Sequence, residues 1–269
     1  MATTKTYHAI ANSFTVMDIA EPVIRAKASD NVKDVFERIG EVAPKTSLAV
    51  IRRGRQIVGY QGLDDDYDSG PNAGDIAHPI TPDQIVPAST SILATLPLFK
   101  QYWYFFVLDK NTITHVVSFL DLEKLPMKLC LFALFMELEA IMLNILSDNA
   151  VVYLQHLSKS RLAQLRSLAR VKYGEEPSSW PPTYLQLEQD RRLLLSTSFS
   201  DKINMFQLDP TLLNLLPFRN KVEAQEFFAL LQKMRNQVAH SNSILSVIDN
   251  PKDLNKFIAK LNQVILKLA

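Results

Sequence analysis

Glycine is scarce in this chain, with seven among 269 residues against fourteen prolines. The seven stand at 40, 54, 59, 62, 70, 74 and 174, and no set of them spells a Walker loop or a dinucleotide fingerprint. Ordinary P-loop NTPase and Rossmann readings are therefore excluded. The lone Cys130 forbids an internal disulfide, and no Cys/His group has zinc spacing. A cytoplasmic location is expected. Met1 to Ile10 is polar and supplies no signal core. Long apolar runs are also missing. Leu129 to Met136 is interrupted by Glu137 and Glu139, far short of the ~20 residues that span a bilayer, so it reads as a buried helix and no membrane partner is expected.

What is present is 47% apolar and 21% charged residues, the composition of a globular chain, and the length suggests two domains. Net charge is +1 overall, with −3 in residues 1–124 and +4 in the remainder. The basic second half favours a polyanion only weakly.

The two halves differ in texture. The first holds short β-rich runs, Ser47–Ile51, Gln56–Tyr60, Trp103–Leu108 and Ile113–Val117, parted by turn-like Arg52-Arg-Gly-Arg55 and Asp109-Lys-Asn111. Amphipathic segments alternate with them over Asn31–Ile39 and over Ser91–Leu98, the second weakened by Pro97. The acidic stretch Asp64 to Gly74 separates two copies of this unit. Beyond Pro126 the pattern predicts helices near 126–147, 150–171, 182–199, 220–240 and 251–268, spaced as in an antiparallel bundle. The expected fold class is α+β, a mixed module followed by an all-α bundle.

The duplicated unit resembles a tandem CBS domain pair over roughly residues 14–124. The resemblance rests on Val16-Met-Asp-Ile-Ala-Glu-Pro-Val-Ile24, on its repeat Gly74-Asp-Ile-Ala-His-Pro-Ile80, and on the last strand's end, Val116-Val-Ser-Phe-Leu-Asp-Leu122. It implies an adenine nucleotide or adenine-containing messenger as regulator. Ser118 would offer a hydroxyl to phosphate or ribose, and Asp121 would accept from ribose hydroxyls. Ile113 and Val117 would wall the adenine. In the first copy Asp65 takes the ribose position but Gly62 stands where the hydroxyl belongs, and in the second His115 replaces the usual glycine. A Ser-x-x-Asp at a strand-to-helix junction is equally an N-capping arrangement.

In the second half, Met234-Arg-Asn-Gln-Val-Ala-His-Ser-Asn242 follows the helical run Ala224–Met234. It resembles the Arg-Asn-x-x-x-His signature of HEPN domains, and Leu129–Met142 is similar to an opening HEPN helix. The resemblance covers about 126–269 and implies a metal-independent ribonuclease. The residue types suit that chemistry: His240 takes or gives a proton, Arg235 holds the phosphate oxygens, and Asn236 orients either partner. Arg235 and His240 lie five residues apart, about 140° from each other on a regular helix; unless the helix end distorts, one protomer cannot readily aim both at one phosphate, and the HEPN resemblance implies a homodimer with a composite cleft. Glu137 and Glu139, two apart, cannot both face the core. Glu139 is the candidate acidic partner of Arg235, with an exposed helix face as the alternative. Lys159, Arg161, Arg166, Arg170 and Lys172 crowd one predicted helix, with Tyr153, Tyr173 and Trp180 nearby. They suit RNA, or a solvated face with core aromatics.

These readings combine into a nucleotide-regulated endoribonuclease with a CBS pair at 1–124 and a HEPN-like domain at 125–269, of a kind that suits prokaryotic defence or stress responses. No cofactor is expected for catalysis. A non-catalytic nucleotide sensor or adaptor, and a toxin restrained by a partner protein, are the alternatives.

Overall fold

The computed structural model describes residues 4–42, 48–62, 71–175 and 181–269. They form two compact units, Asn12–Lys128 and Leu129–Ala269, the latter joined by Met1–Ala11. Residues 4–11 thus group with the C-terminal unit. The first element, helix α1 (Thr4–Ser13), is one that the polar N-terminal sequence does not announce.

The Asn12–Lys128 unit is a duplication. Its first copy runs through β1 (Glu21–Pro22), β2 (Ile24–Lys27), α2 (Val32–Val42), β3 (Leu48–Arg53) and β4 (Gln56–Gly62). The second contains β5 (Ile85–Pro87), α3 (Ile92–Thr95), β6 (Tyr104–Asp109) and β7 (Thr112–Ser118). In each copy a parallel pair is followed by an antiparallel hairpin, β2 with β3 and β4, and β5 with β6 and β7. The hairpins even carry a register shift at the same place, Ile51/Arg52 and Val107/Leu108. The helix expected over Ser91–Leu98 is shorter, because Pro97 lacks an amide donor and the chain tightens into a 3-10 turn over Leu96–Lys100.

The two copies exchange their lead-in segments. Glu21 and Pro22 of the first pair with Val116 and His115 of β7, giving the sheet order β1-β7-β6-β5. His78 of the second bridges Tyr60 of β4, with backbone bonds of 2.9 and 2.8 Å in the two directions. Gly59 is required at this crossing, since a Cβ there would lie 2.3 Å from the His78 carbonyl oxygen.

β3 is apolar on both faces because both are covered. Leu48 and Val50 pack on Phe106, Ile113 and Val116, while Ala49 and Ile51 join Ala26, Val35, Ile39 and Ala73, as period-two alternation requires. One residue departs from this economy. Gln61 on β4 is fully buried and neither amide atom has a partner among the described residues, whereas its register equivalent in the second copy is Val117. An unsatisfied buried amide costs ~1–3 kcal/mol, so Gln61→Val is expected to raise the urea midpoint without changing the slope. A lowered midpoint would show that the amide is satisfied in solution.

In the C-terminal unit every regular element among the described residues is a helix. They are α4 (Leu125–Ser147, starting in the preceding unit), α5 (Ala150–Leu154), α6 (Lys159–Tyr173), α7 (Pro182–Leu195), α8 (Phe199–Leu208), α9 (Pro210–Asn214), α10 (Lys221–Ala239) and α11 (Pro251–Leu268). The helix expected over 150–171 is divided because Ser158 caps a new one, accepting from the Arg161 amide. Likewise the segment expected at 182–199 stops at Leu195, and Ser198 caps α8 in a reciprocal box with Asp201. With 23 residues, α4 is long and apolar enough to cross a membrane by length and composition, which the interrupted run in the sequence did not suggest. Its Leu131, Leu134, Leu138 and Met142 are nevertheless fully buried, as in a core helix.

Candidate functional site

Ser118 ends β7 and caps a 3-10 turn over Phe119–Glu123. One oxygen of the Asp121 carboxylate accepts from the Ser118 amide at 2.7 Å and from its hydroxyl at 2.9 Å. The other faces the Lys124 ammonium at 2.9 Å. Lys124 also reaches Glu21 and the Ile19 carbonyl. Burial alone would lower the Lys124 pKa, but the bonds to Glu21 and Asp121 outweigh it and hold the pKa above its ordinary value. The Ser-x-x-Asp pattern is thus a working cap. Thr15 with Asp18 and Thr81 with Gln84 build the same device. Ile113 is buried in the core between the sheets and Val117 is fully buried, so neither is an open wall for a base. His115 has its Nδ1 2.8 Å from the Thr114 hydroxyl. Gly62 ends β4, and Asp65 lies outside the described residues.

Helix α10 places the second group of residues. It buries Ala224, Phe227, Phe228, Leu231, Met234 and Val238 at helical spacing. Arg235 is consequently half-buried, while Asn236 and His240 are exposed. The helix closes with Ser241 in the left-handed region at φ 55°, the Ser241 amide donating to the Val238 carbonyl and the Asn242 amide to that of Gln237. This is a Schellman ending. It keeps the helix regular through Ala239, so Arg235 and His240 diverge by about 140°. Among the described residues, the side chains of Arg235, Asn236 and His240 have no hydrogen-bond or ion-pair partner.

The acidic partner expected for Arg235 is committed elsewhere. Glu139 pairs with Lys202 at 3.0 Å, and that buried ammonium also donates to the Thr197 carbonyl at 2.9 Å. Glu137 is the carboxylate that faces the core, 3.5 Å from His8. Burial raises its pKa against the opposing pull of His8. The Glu139 assignment is therefore corrected: the α4 register gives its side chain to α8, not to α10.

The basic run on α6 divides. Arg161 is spent on a fork to Asp201. Arg166 and Arg170 line a cavity of about 190 Å³ with Arg192 of α7 and the buried Asp190. Lys172 and Arg192 sit 5.1 and 5.9 Å from the Tyr173 ring centroid, so this tyrosine serves as a cation platform within the unit. Trp180 is outside the described residues. The Arg161–Asp201 and Glu139–Lys202 pairs went unread in the sequence, although Ser198-x-x-Asp201 carries a capping signature.

No protein-family model matches the chain, and no curated protein matches it. Among solved structures it is similar to the CBS domain of the bacterial CNNM/CorC family Mg2+ transporter in complex with ATP. That likeness has 15% identity over 47% of this chain and 94% of the other, with a TM-score of 0.36. It is also similar to a hemolysin-like protein containing a CBS domain from Oenococcus oeni PSU, at 13% identity over 45% of this chain and 96% of the other, TM-score 0.35. A CBS domain-containing protein from Thermotoga maritima gives 16% identity over 41% and 92%, with a TM-score of 0.32.

Proposed function

We propose that the chain is an adenine-nucleotide-regulated, metal-independent endoribonuclease that acts as a homodimer. The observation that carries this reading is the end of α10, where Arg235 stands without a counter-ion among the described residues, beside exposed Asn236 and His240. The two α4 carboxylates considered as the partner of Arg235 lie against other groups, Glu139 against Lys202 and Glu137 against His8. His240 takes the proton of a ribose 2′-hydroxyl or delivers one to the departing 5′-oxygen. Arg235 neutralises the phosphorane, and Asn236 orients the phosphate. Because the helix is regular, a second protomer brings the complementary member of the pair to the same phosphate.

The test is incubation of the protein with mixed RNA in EDTA, with and without adenine nucleotides. Cleavage that persists, leaves 2′,3′-cyclic phosphate ends and spares DNA is the expected result. EDTA sensitivity or robust DNA cleavage would overturn the mechanism, and a monomer near 30.5 kDa in light scattering would remove the composite cleft.

The regulatory site is assigned to Ser118 and Asp121. Asp121→Ala is expected to weaken ATP or AMP binding at least tenfold in calorimetry, since a charge-assisted contact is worth ~1.5–3 kcal/mol. Loss of the cap would itself cost about 1 kcal/mol of stability, so affinity is compared well below the melting range. Unchanged affinity would leave Asp121 a capping residue alone. The capped Asp121 and the divergent α10 side chains favour one second reading, a non-catalytic sensor or adaptor, which would bind nucleotide and leave RNA intact.

A further inference from the structure

The duplication supplies an internal control for which residues the fold requires. In the first copy the junction of β2 with the β3–β4 hairpin pairs Lys27 with Arg52, followed by Arg53 and Gly54. In the second copy the same register pairs Pro87 with Leu108, followed by Asp109 and Lys110. The surrounding backbone is equivalent: the Ala28 amide donates to Arg52 at 2.8 Å as that of Ala88 does to Leu108 at 2.9 Å. Gly54 and Lys110 share a left-handed φ of 63° and 54°. The strand pair and its bulge are therefore built without cations in the second copy, whose one cation here is Lys110 at the turn, and with Lys27, Arg52 and Arg53 in the first.

Those three cations line a groove of about 420 Å³. Like charges in register across a strand pair are unfavourable, and among the described residues no carboxylate pairs with these side chains: Asp30, which accepts from the Lys27 amide at 2.9 Å, faces Arg38. The side chains of Lys27 and Arg53 have no partner among the described residues. Among the described residues Arg52 donates only to the Arg55 carbonyl, at 3.2 Å, and its buried Nε has no acceptor. The one carboxylate in the lining, Asp75, already accepts from the Asn72 side-chain amide at 3.0 Å. At the turn, nothing lies within 4 Å of where a Cβ would stand on Gly54, so the main chain is open to close approach.

We propose that this groove is a binding site for a phosphate chain, a di- or triphosphate group gripped by Lys27, Arg52 and Arg53. It sits at the hairpin end of the first sheet, whereas Gly62 and Ser118 terminate the opposite ends of β4 and β7. It is thus separate from the Ser118/Asp121 site and independent of the activity proposed for the α10 end. Clustered guanidinium and ammonium groups match the oxygens of a polyphosphate in charge and fork geometry.

The test transplants the second copy's residues into the first. Inorganic tripolyphosphate is titrated into the wild type, the double variant Arg52→Leu/Arg53→Asp and Asp121→Ala by calorimetry, with urea midpoints measured alongside. Saturable binding at one site per chain, weakened at least tenfold in the double variant and unchanged in Asp121→Ala, is the expected result. Lys27→Ala supplies a second reading if the double variant has a lowered midpoint, and the same direction is expected. Equal affinity in wild type and groove variants, loss in Asp121→Ala only, or unsaturable binding throughout would each overturn the site. ATP in a parallel titration distinguishes a nucleotide's tail from a free phosphate chain: competition with tripolyphosphate assigns the groove to both, and its absence assigns it to the inorganic chain.

Discussion

His240→Ala is expected to lose at least ~10²-fold of the RNA cleavage rate, the lower end of what positioned proton transfer contributes. Arg235→Ala is expected to fall comparably through loss of phosphorane stabilisation. Neither change should disturb the fold, because His240 is exposed and Arg235 makes no ion pair among the described residues. The divergence of the two side chains adds a sharper expectation. If Arg235 of one protomer serves with His240 of the other, mixing the two inactive variants after partial unfolding and reassociation restores one intact pair per heterodimer. Recovery of a substantial fraction of activity supports the composite cleft; no recovery, with heterodimers demonstrated, places both groups in one chain. Full activity in His240→Ala moves the weight to the adaptor reading.

Asp201→Ala carries the largest expected effect on stability, about 3 kcal/mol, near the low end for breaking a buried ion pair because Arg161 stays partly hydrated. Asp201 is 6% exposed. It accepts from Arg161 Nε at 3.0 Å and Nη2 at 2.7 Å, and from the amide and hydroxyl of Ser198, both at 2.8 Å. Burial by itself would raise its pKa, but the Arg161 fork and the Ser198 donors outweigh it and hold the carboxyl below its ordinary value. A depressed folded pKa means that the stabilisation is complete above the unfolded value of ~3.9 and is lost as pH falls through the folded one. The wild type should therefore show an acid limb in urea midpoints below about pH 4 that flattens in Asp201→Ala. An equal midpoint at pH 7 would show the pair to be energetically idle.

Legibility in the sequence followed how local each cause was. The hairpin strands, α2, α10 and α11 are set by their own periodicity, and each was readable within a residue or a few. The two-residue β1 and three-residue β5 have no period to read; they are strands only because β7 and β6 accept them. The breaks at Ser158 and Ser198 were hidden because apolar spacing continues across both, and a cap outweighs periodicity once its hydroxyl meets a free amide. The same principle governs the sites. Ser118 and Asp121 were found by pattern, and the structure gives that pattern a local cap. The destination of Glu139 was not readable, since the choice between α10 and α8 depends on how helices pack rather than on any spacing within α4.

The crossing of the lead-in segments between copies determines what half of this unit is. A chain holding one repeat would carry a segment that seats on no edge of its own, and its sheet would wait for the matching segment of another molecule. Folding of such a half would be second order and its midpoint would move with concentration. The tandem chain converts that encounter into an internal one, because both segments belong to one molecule. Cutting the chain between the repeats, anywhere in residues 63–70, would give the association back its dependence on dilution.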